Sequence, residues 1–106
     1  MGVKLIDIAS VIRSKNSGPY ELTLDIIFKD RKWYEKMKAA GLINRPLISR
    51  IYGLPEEDVL DIIEFDPAAA IKINLRRPIV SGDIGDTDIY GAQQHAPLMG
   101  LEFPDL

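Results

Sequence analysis

Alternation of apolar and polar positions is cleanest from Leu22 to Phe28, where Leu22, Leu24, Ile26 and Phe28 interleave with Thr23, Asp25 and Ile27. A period of two predicts a strand with one buried face. The period then changes. Trp33, Met37 and Ala40 recur at i, i+4 and i+7 behind Asp30, and Gly41 stands where a left-handed C-terminal residue belongs. This predicts a helix over 31–40 with Asp30 as its cap. Asn44 before Pro46, the apolar set Leu47, Ile48 and Ile51, and Gly53 beyond them predict a second helix. Glu56, Glu57 and Asp58 fit the first turn of a short helical piece, where the backbone dipole favours negative charge.

Two further strands are predicted at 62–65 and around the alternating Ile71, Ile73 and Leu75, with Asp66-Pro67 as the turn between them. A one-residue slip in the second would bury Lys72, so its register is well specified. The segment from Leu5 to Ile12 fits both periods: Leu5, Ile8, Ala9 and Ile12 make a helical face, and Ile6, Ile8 and Ile12 a strand face. It is read as a short turn leading into a strand that ends at Arg13. Met99, Leu101 and Phe103 predict a last strand, ended by Pro104. From Leu22 onward the order is βαββαβ. That is an α+β, ferredoxin-like arrangement, an antiparallel sheet with helices on one face, here with an extra N-terminal strand. A chain of 106 residues, 46% apolar, suits one such domain over 1–106.

Two polar segments interrupt this pattern, Arg13 to Pro19 and Ser81 to His95, and both read as loops. Loops held by a rigid scaffold are where binding and chemistry concentrate, and two of similar composition suggest one site. Arg13, Ser14, Lys15, Asn16 and Gly18 combine a guanidinium, an ammonium, a hydroxyl, an amide and a flexible backbone. Such a set suits a carboxylate or phosphate. The spacing is not that of a P-loop, and an ordinary connection with Arg13 paired to an acid accounts for the same residues. In the second segment His95, the only histidine, is the default proton carrier, with Asp86 as the carboxylate beside it. Thr87, Gln93 and Gln94 supply hydrogen bonds that orient a polar ligand. A lone histidine before Ala96-Pro97 equally fits a surface position. Asp83, Asp86 and Asp88 offer oxygen ligands but lack the register of a calcium loop, so Asx-type turns are expected and no metal site.

Composition narrows the chemistry. Without cysteine the chain has no disulfide, no thiolate-held zinc or iron-sulfur cluster and no thiol nucleophile. A net charge of -3 and the lack of a basic stripe argue against nucleic acid as a partner. The first residues begin no long uncharged apolar run, so neither a signal peptide nor a membrane helix is expected, and a cytoplasmic location is. No cofactor is expected.

The polar segment Arg13 to Gly18 feeding the strand from Tyr20 to Phe28, together with Gly85 to Leu98, resembles a small prokaryotic family of domains of unknown function over about Leu5 to Pro104. That family is similar to the C-terminal ferredoxin-like domain of acyclic-terpene-utilisation proteins of the AtuA type, where an Arg-Ser-Gly-Asp-Lys-Gly segment precedes a strand. Arg13, Ser14 and Gly18 match in kind, and Lys15-Asn16-Ser17 depart. The resemblance implies an accessory subunit of a larger AtuA-like protein, with hydro-lyase chemistry on an organic acid or acyl-CoA. A stand-alone lyase or isomerase built on His95 with Asp86 or Asp88, and a non-catalytic ligand-binding or assembly module that forms homo-oligomers, remain open beside it.

Overall fold

The computed structural model describes residues 2–18, 20–76 and 96–104. Strand β1 (Gly2–Lys4) runs into one turn of helix, α1 (Leu5–Ile8), which leads directly into β2 (Ala9–Gly18). Both periods of the N-terminal segment are thus used in succession. Strand β3 (Glu21–Phe28) is followed by α2 (Arg31–Ala40) and α3 (Arg45–Tyr52), then by β4 (Val59–Phe65) and β5 (Ala70–Arg76). The short helix α4 (Ala96–Met99) and strand β6 (Glu102–Pro104) complete the described chain.

The fold is α+β, with antiparallel sheets and helices. Four strands form a sheet in the order β2-β3-β5-β4, each antiparallel to its neighbours. Strands β3 and β4 therefore run parallel, with β5 inserted between them and α2 and α3 making the crossover, a split βαβ unit. The last strand does not join this sheet. It pairs with β1, Val3 opposite Phe103, in a separate two-stranded ribbon. Strand β2 holds the place beside β3 that a ferredoxin-like order assigns to the last strand, so the N-terminal strand is a member of the sheet and not an addition to it.

The helices form where local chemistry closes their ends. Asp30 Oδ1 accepts from the N–H of Lys32 at 2.8 Å and of Trp33 at 3.3 Å, and Gly41 takes φ 60°. Asn44 Oδ1 accepts from Leu47 N–H at 3.0 Å, and Gly53 takes φ 64°. A 3-10 turn at Glu56–Asp58 meets the expectation of a short helical piece. Strand β4 starts three residues before the predicted Ile62, because a register shift between Val59 and Asp61 breaks the alternation there. Arg45 spans that irregularity, donating from Nε to the Val59 carbonyl and from an Nη to the Leu60 carbonyl, both at 2.8 Å. The predicted last strand is shorter, since Met99 ends a helical turn and only 102–104 pair.

One face of the four-stranded sheet makes the core. Leu22, Leu24, Ile26 and Phe28 from β3 join Ile71, Ile73 and Leu75 from β5, covered by Tyr34 and Met37 of α2, Ile48 of α3, Leu98 of α4 and Leu5 and Ile8 of α1. The buried Tyr34 ring packs at a tilt on Phe28, with centroids 6.1 Å apart, and its hydroxyl donates to Asp66 Oδ1. Lys38 Nζ reaches the same oxygen at 3.0 Å. The Tyr34 hydrogen bond and then the Lys38 contact hold the Asp66 carboxyl below its ordinary value, while burial and that hydrogen bond push the Tyr34 phenol well up.

Candidate functional site

The segment Arg13 to Gly18 is not a loop. It is the C-terminal half of β2, paired residue by residue with β3 from Arg13 opposite Asp25 to Gly18 opposite Glu21, with a register irregularity between Asn16 and Gly18. Backbone amides engaged in such a ladder do not form an anion-holding concavity. Strand geometry also divides the candidate residues, because successive side chains point to opposite faces. Ser14, opposite Leu24, and Asn16, opposite Leu22, belong to the core face, where Ser14 is buried. Arg13 and Lys15 belong to the other face. The five residues are thus not gathered at one point. Asp86, Thr87, Gln93, Gln94 and His95, with the rest of the second polar segment, lie outside the described residues.

The face carrying Arg13 and Lys15 is built from cross-strand rows that follow from the register. One row runs Arg13, Asp25, Lys72, Ile63 across β2, β3, β5 and β4. The next runs Lys15, Thr23, Asn74, Asp61, and beyond it Glu21 lies opposite Arg76. In the other direction the row is Val11, Ile27, Ala70, Phe65. Among the described residues, all four helices place their buried side chains in the core on the opposite side. Ala70 is buried yet stands outside that core, and Val11, Ile27, Ile63 and Phe65 are not packed against it. Ile63 and Phe65 keep 45% and 47% of their surface exposed. The face is therefore apolar at one end and charged at the other.

Its centre holds an unusual carboxylate. Asp25 is only 3% exposed although it lies on the face away from the core, on the inner strand β3. Arg13 Nε donates to Asp25 Oδ2 at 3.0 Å, with the guanidinium mostly in solvent. Asp25 Oδ1 is buried with no hydrogen-bond partner. A buried carboxylate oxygen without a donor is costly, and native structures fill most such positions. Beside it Thr23 donates to Asn74 Oδ1 at 2.9 Å.

Grooves among the described residues lie elsewhere. One of about 360 Å³ runs between α3 and β6, lined by Leu42, Leu47, Leu101 and Phe103 with Arg50 and Glu102 at its polar wall. A smaller one of about 220 Å³ is lined by Ile6, Ile12 and Met99. Neither contains a residue of the sequence-derived candidate set. No group of three acidic or histidine side chains among the described residues is placed to hold a metal ion, and no described helix is long and apolar enough to cross a membrane.

Residues 5–102 match the family model described as a domain of unknown function, DUF4387. The chain belongs to that family. The match takes in the whole four-stranded sheet and both polar segments, so the DUF4387 domain includes the row through Asp25 as well as the segment that ends at His95. No curated protein and no solved structure matches the chain. Sequence reasoning passed over Asp25 and Phe65 in this DUF4387 domain. Alternation in β3 marks Asp25 as facing away from the core, and that was the available signal.

Proposed function

We propose that this chain is an assembly module, an accessory subunit that docks through the face of its four-stranded sheet opposite the described helices. The observation that carries the reading is that Ile63 and Phe65, on the sheet face opposite the core, are exposed large apolar side chains. A partner seated there would remove two large apolar side chains from water, and burial of apolar area is the main driving force of association. The resemblance to the C-terminal domain of AtuA-type proteins favours an AtuA-like protein as the larger partner. In this reading that protein carries the chemistry, a hydro-lyase step on an organic acid or acyl-CoA.

The test is co-expression of the chain with an AtuA-like protein, followed by size-exclusion chromatography with light scattering on wild type and Phe65→Asp. Assembly by the wild type and its loss in the variant are expected. Assembly that is indifferent to Phe65→Asp overturns the reading of this face.

A further inference from the structure

The ribbon of β1 and β6 leaves the backbone of one residue unused. In an antiparallel pair, opposed residues alternate between those that exchange N–H···O=C bonds and those whose N–H and C=O point away from the partner strand. The Leu5 N–H donates to the Leu101 carbonyl at 3.0 Å, and the register sets Lys4 opposite Glu102 and Val3 opposite Phe103. Leu5 with Leu101 and Val3 with Phe103 are therefore the bonded pairs, and Glu102 between them turns its N–H and C=O outward. Among the described residues, β6 pairs with no strand other than β1. The Leu101 N–H is taken by the Leu98 carbonyl at 3.1 Å, and Pro104 has no N–H to offer. Glu102 thus presents both a donor and an acceptor along the outer edge of β6.

That edge borders the groove of about 360 Å³. Among the described residues, Leu101, Glu102 and Phe103 line it and no residue of β1 does, so it lies on the side of β6 away from its partner, with α3 as the opposite wall. The Glu102 side chain lies over Gly2, where an added Cβ would fall 2.6 Å from Glu102 Cγ. Side chains alternate across a strand, so Leu101 and Phe103 take the other face, and what Glu102 offers the groove is its backbone. On the α3 wall Arg50 is exposed and makes no ion pair or side-chain hydrogen bond among the described residues. Asn44 is already engaged, accepting from Leu47 N–H and donating to the Gly41 carbonyl. The groove therefore combines a backbone donor and acceptor, an unpaired guanidinium and an apolar floor, in a volume typical of small-molecule sites.

We infer that this groove binds a free α-amino acid with an apolar side chain. Its carboxylate accepts from the Glu102 N–H and from the Arg50 guanidinium, a donor suited to carboxylates, and its ammonium donates to the Glu102 carbonyl. Both groups sit on one α-carbon, as the N–H and C=O of a residue do. A single ligand residue can therefore exchange both bonds with Glu102 in the manner of strand addition. The ligand's side chain lies against Leu42, Leu47 and Leu101, where removal of apolar area from water adds to binding. The Glu102 carboxylate makes no ion pair among the described residues, and its negative charge favours an ammonium over a neutral amide. The site is separate from the sheet face and goes beyond the assembly role.

Titration of isotope-labelled protein with leucine, followed through the backbone amide resonances, tests this. Shifts concentrated at Leu101, Glu102 and Arg50, saturating at millimolar leucine or below, are expected. Arg50→Gln changes an exposed side chain, so the spectrum of the folded chain is expected to persist while leucine binds roughly tenfold or more weakly. Isocaproate, which lacks the amine, and N-acetylleucine, which replaces the ammonium by a neutral amide, are each expected to bind more weakly than leucine. N-acetylleucine binding as tightly as leucine overturns the ammonium, and isocaproate doing so overturns the bond to the Glu102 carbonyl. Absence of shifts at these amides with millimolar leucine, or leucine binding unchanged in Arg50→Gln, overturns the site. Phe65→Asp, which tests the docking face, is expected to leave leucine binding unchanged, so the two readings fail separately.

Discussion

Two carboxylates on this chain have opposite surroundings. Asp66 is exposed but held by the Tyr34 hydroxyl and Lys38, which lower its pKa. A folded-state value below the unfolded one means that the contribution to stability is complete above the ordinary carboxylate range and is lost as pH falls through the folded value. The stability gap between wild type and Asp66→Asn should therefore be widest near neutral pH and close in acid, which urea unfolding at a series of pH values will measure. Tyr34→Phe keeps the ring on Phe28 and removes one hydrogen bond, so a loss of roughly 1 kcal/mol is expected in the same experiment. Asp25 is the reverse case, buried and only half paired.

At the level of elements, the helix ends carry separable stabilities. Asn44→Ala removes the acceptor for Leu47 N–H and should cost about 1 kcal/mol, read as a lowered denaturation midpoint with unchanged slope. Such ends were legible in the sequence because caps are local: Asp30 with Gly41, and Asn44 with Gly53, each act within a few residues of the helix they bound. The second half of β2 was not legible. Its outward positions carry Arg13 and Lys15, its inward ones Ser14 and Asn16, and Gly18 ends it, a composition that reads as a loop when the pairing strand is unknown. Among the described residues β2 ends the sheet, and charged side chains are common on such end strands. Strand order was equally hidden. The pairing of β6 with β1 joins residues at opposite ends of the chain, and no local pattern distinguishes it from the sheet-completing alternative.

At the scale of the molecule, the described helices close one side of the sheet, and the described residues of the other side are graded, apolar along Val11, Ile27, Ala70 and Phe65 and charged toward Glu21 and Arg76. The sequence made the outward set of β3 and β5 readable, but not that Arg13 to Lys15 and Asp61 to Phe65 extend it on both sides. Because Phe65 lies outside the core, Phe65→Asp should change thermal unfolding of the isolated chain by no more than about 0.5 kcal/mol while abolishing assembly. Hydroxyl-radical footprinting of assembled and dissociated protein tests the docking face most directly. Protection of Ile63 and Phe65 on assembly is expected, with Leu42 and Leu101 in the groove beside β6 unchanged. Protection of the groove with Ile63 and Phe65 left reactive would contradict the assignment of the sheet face.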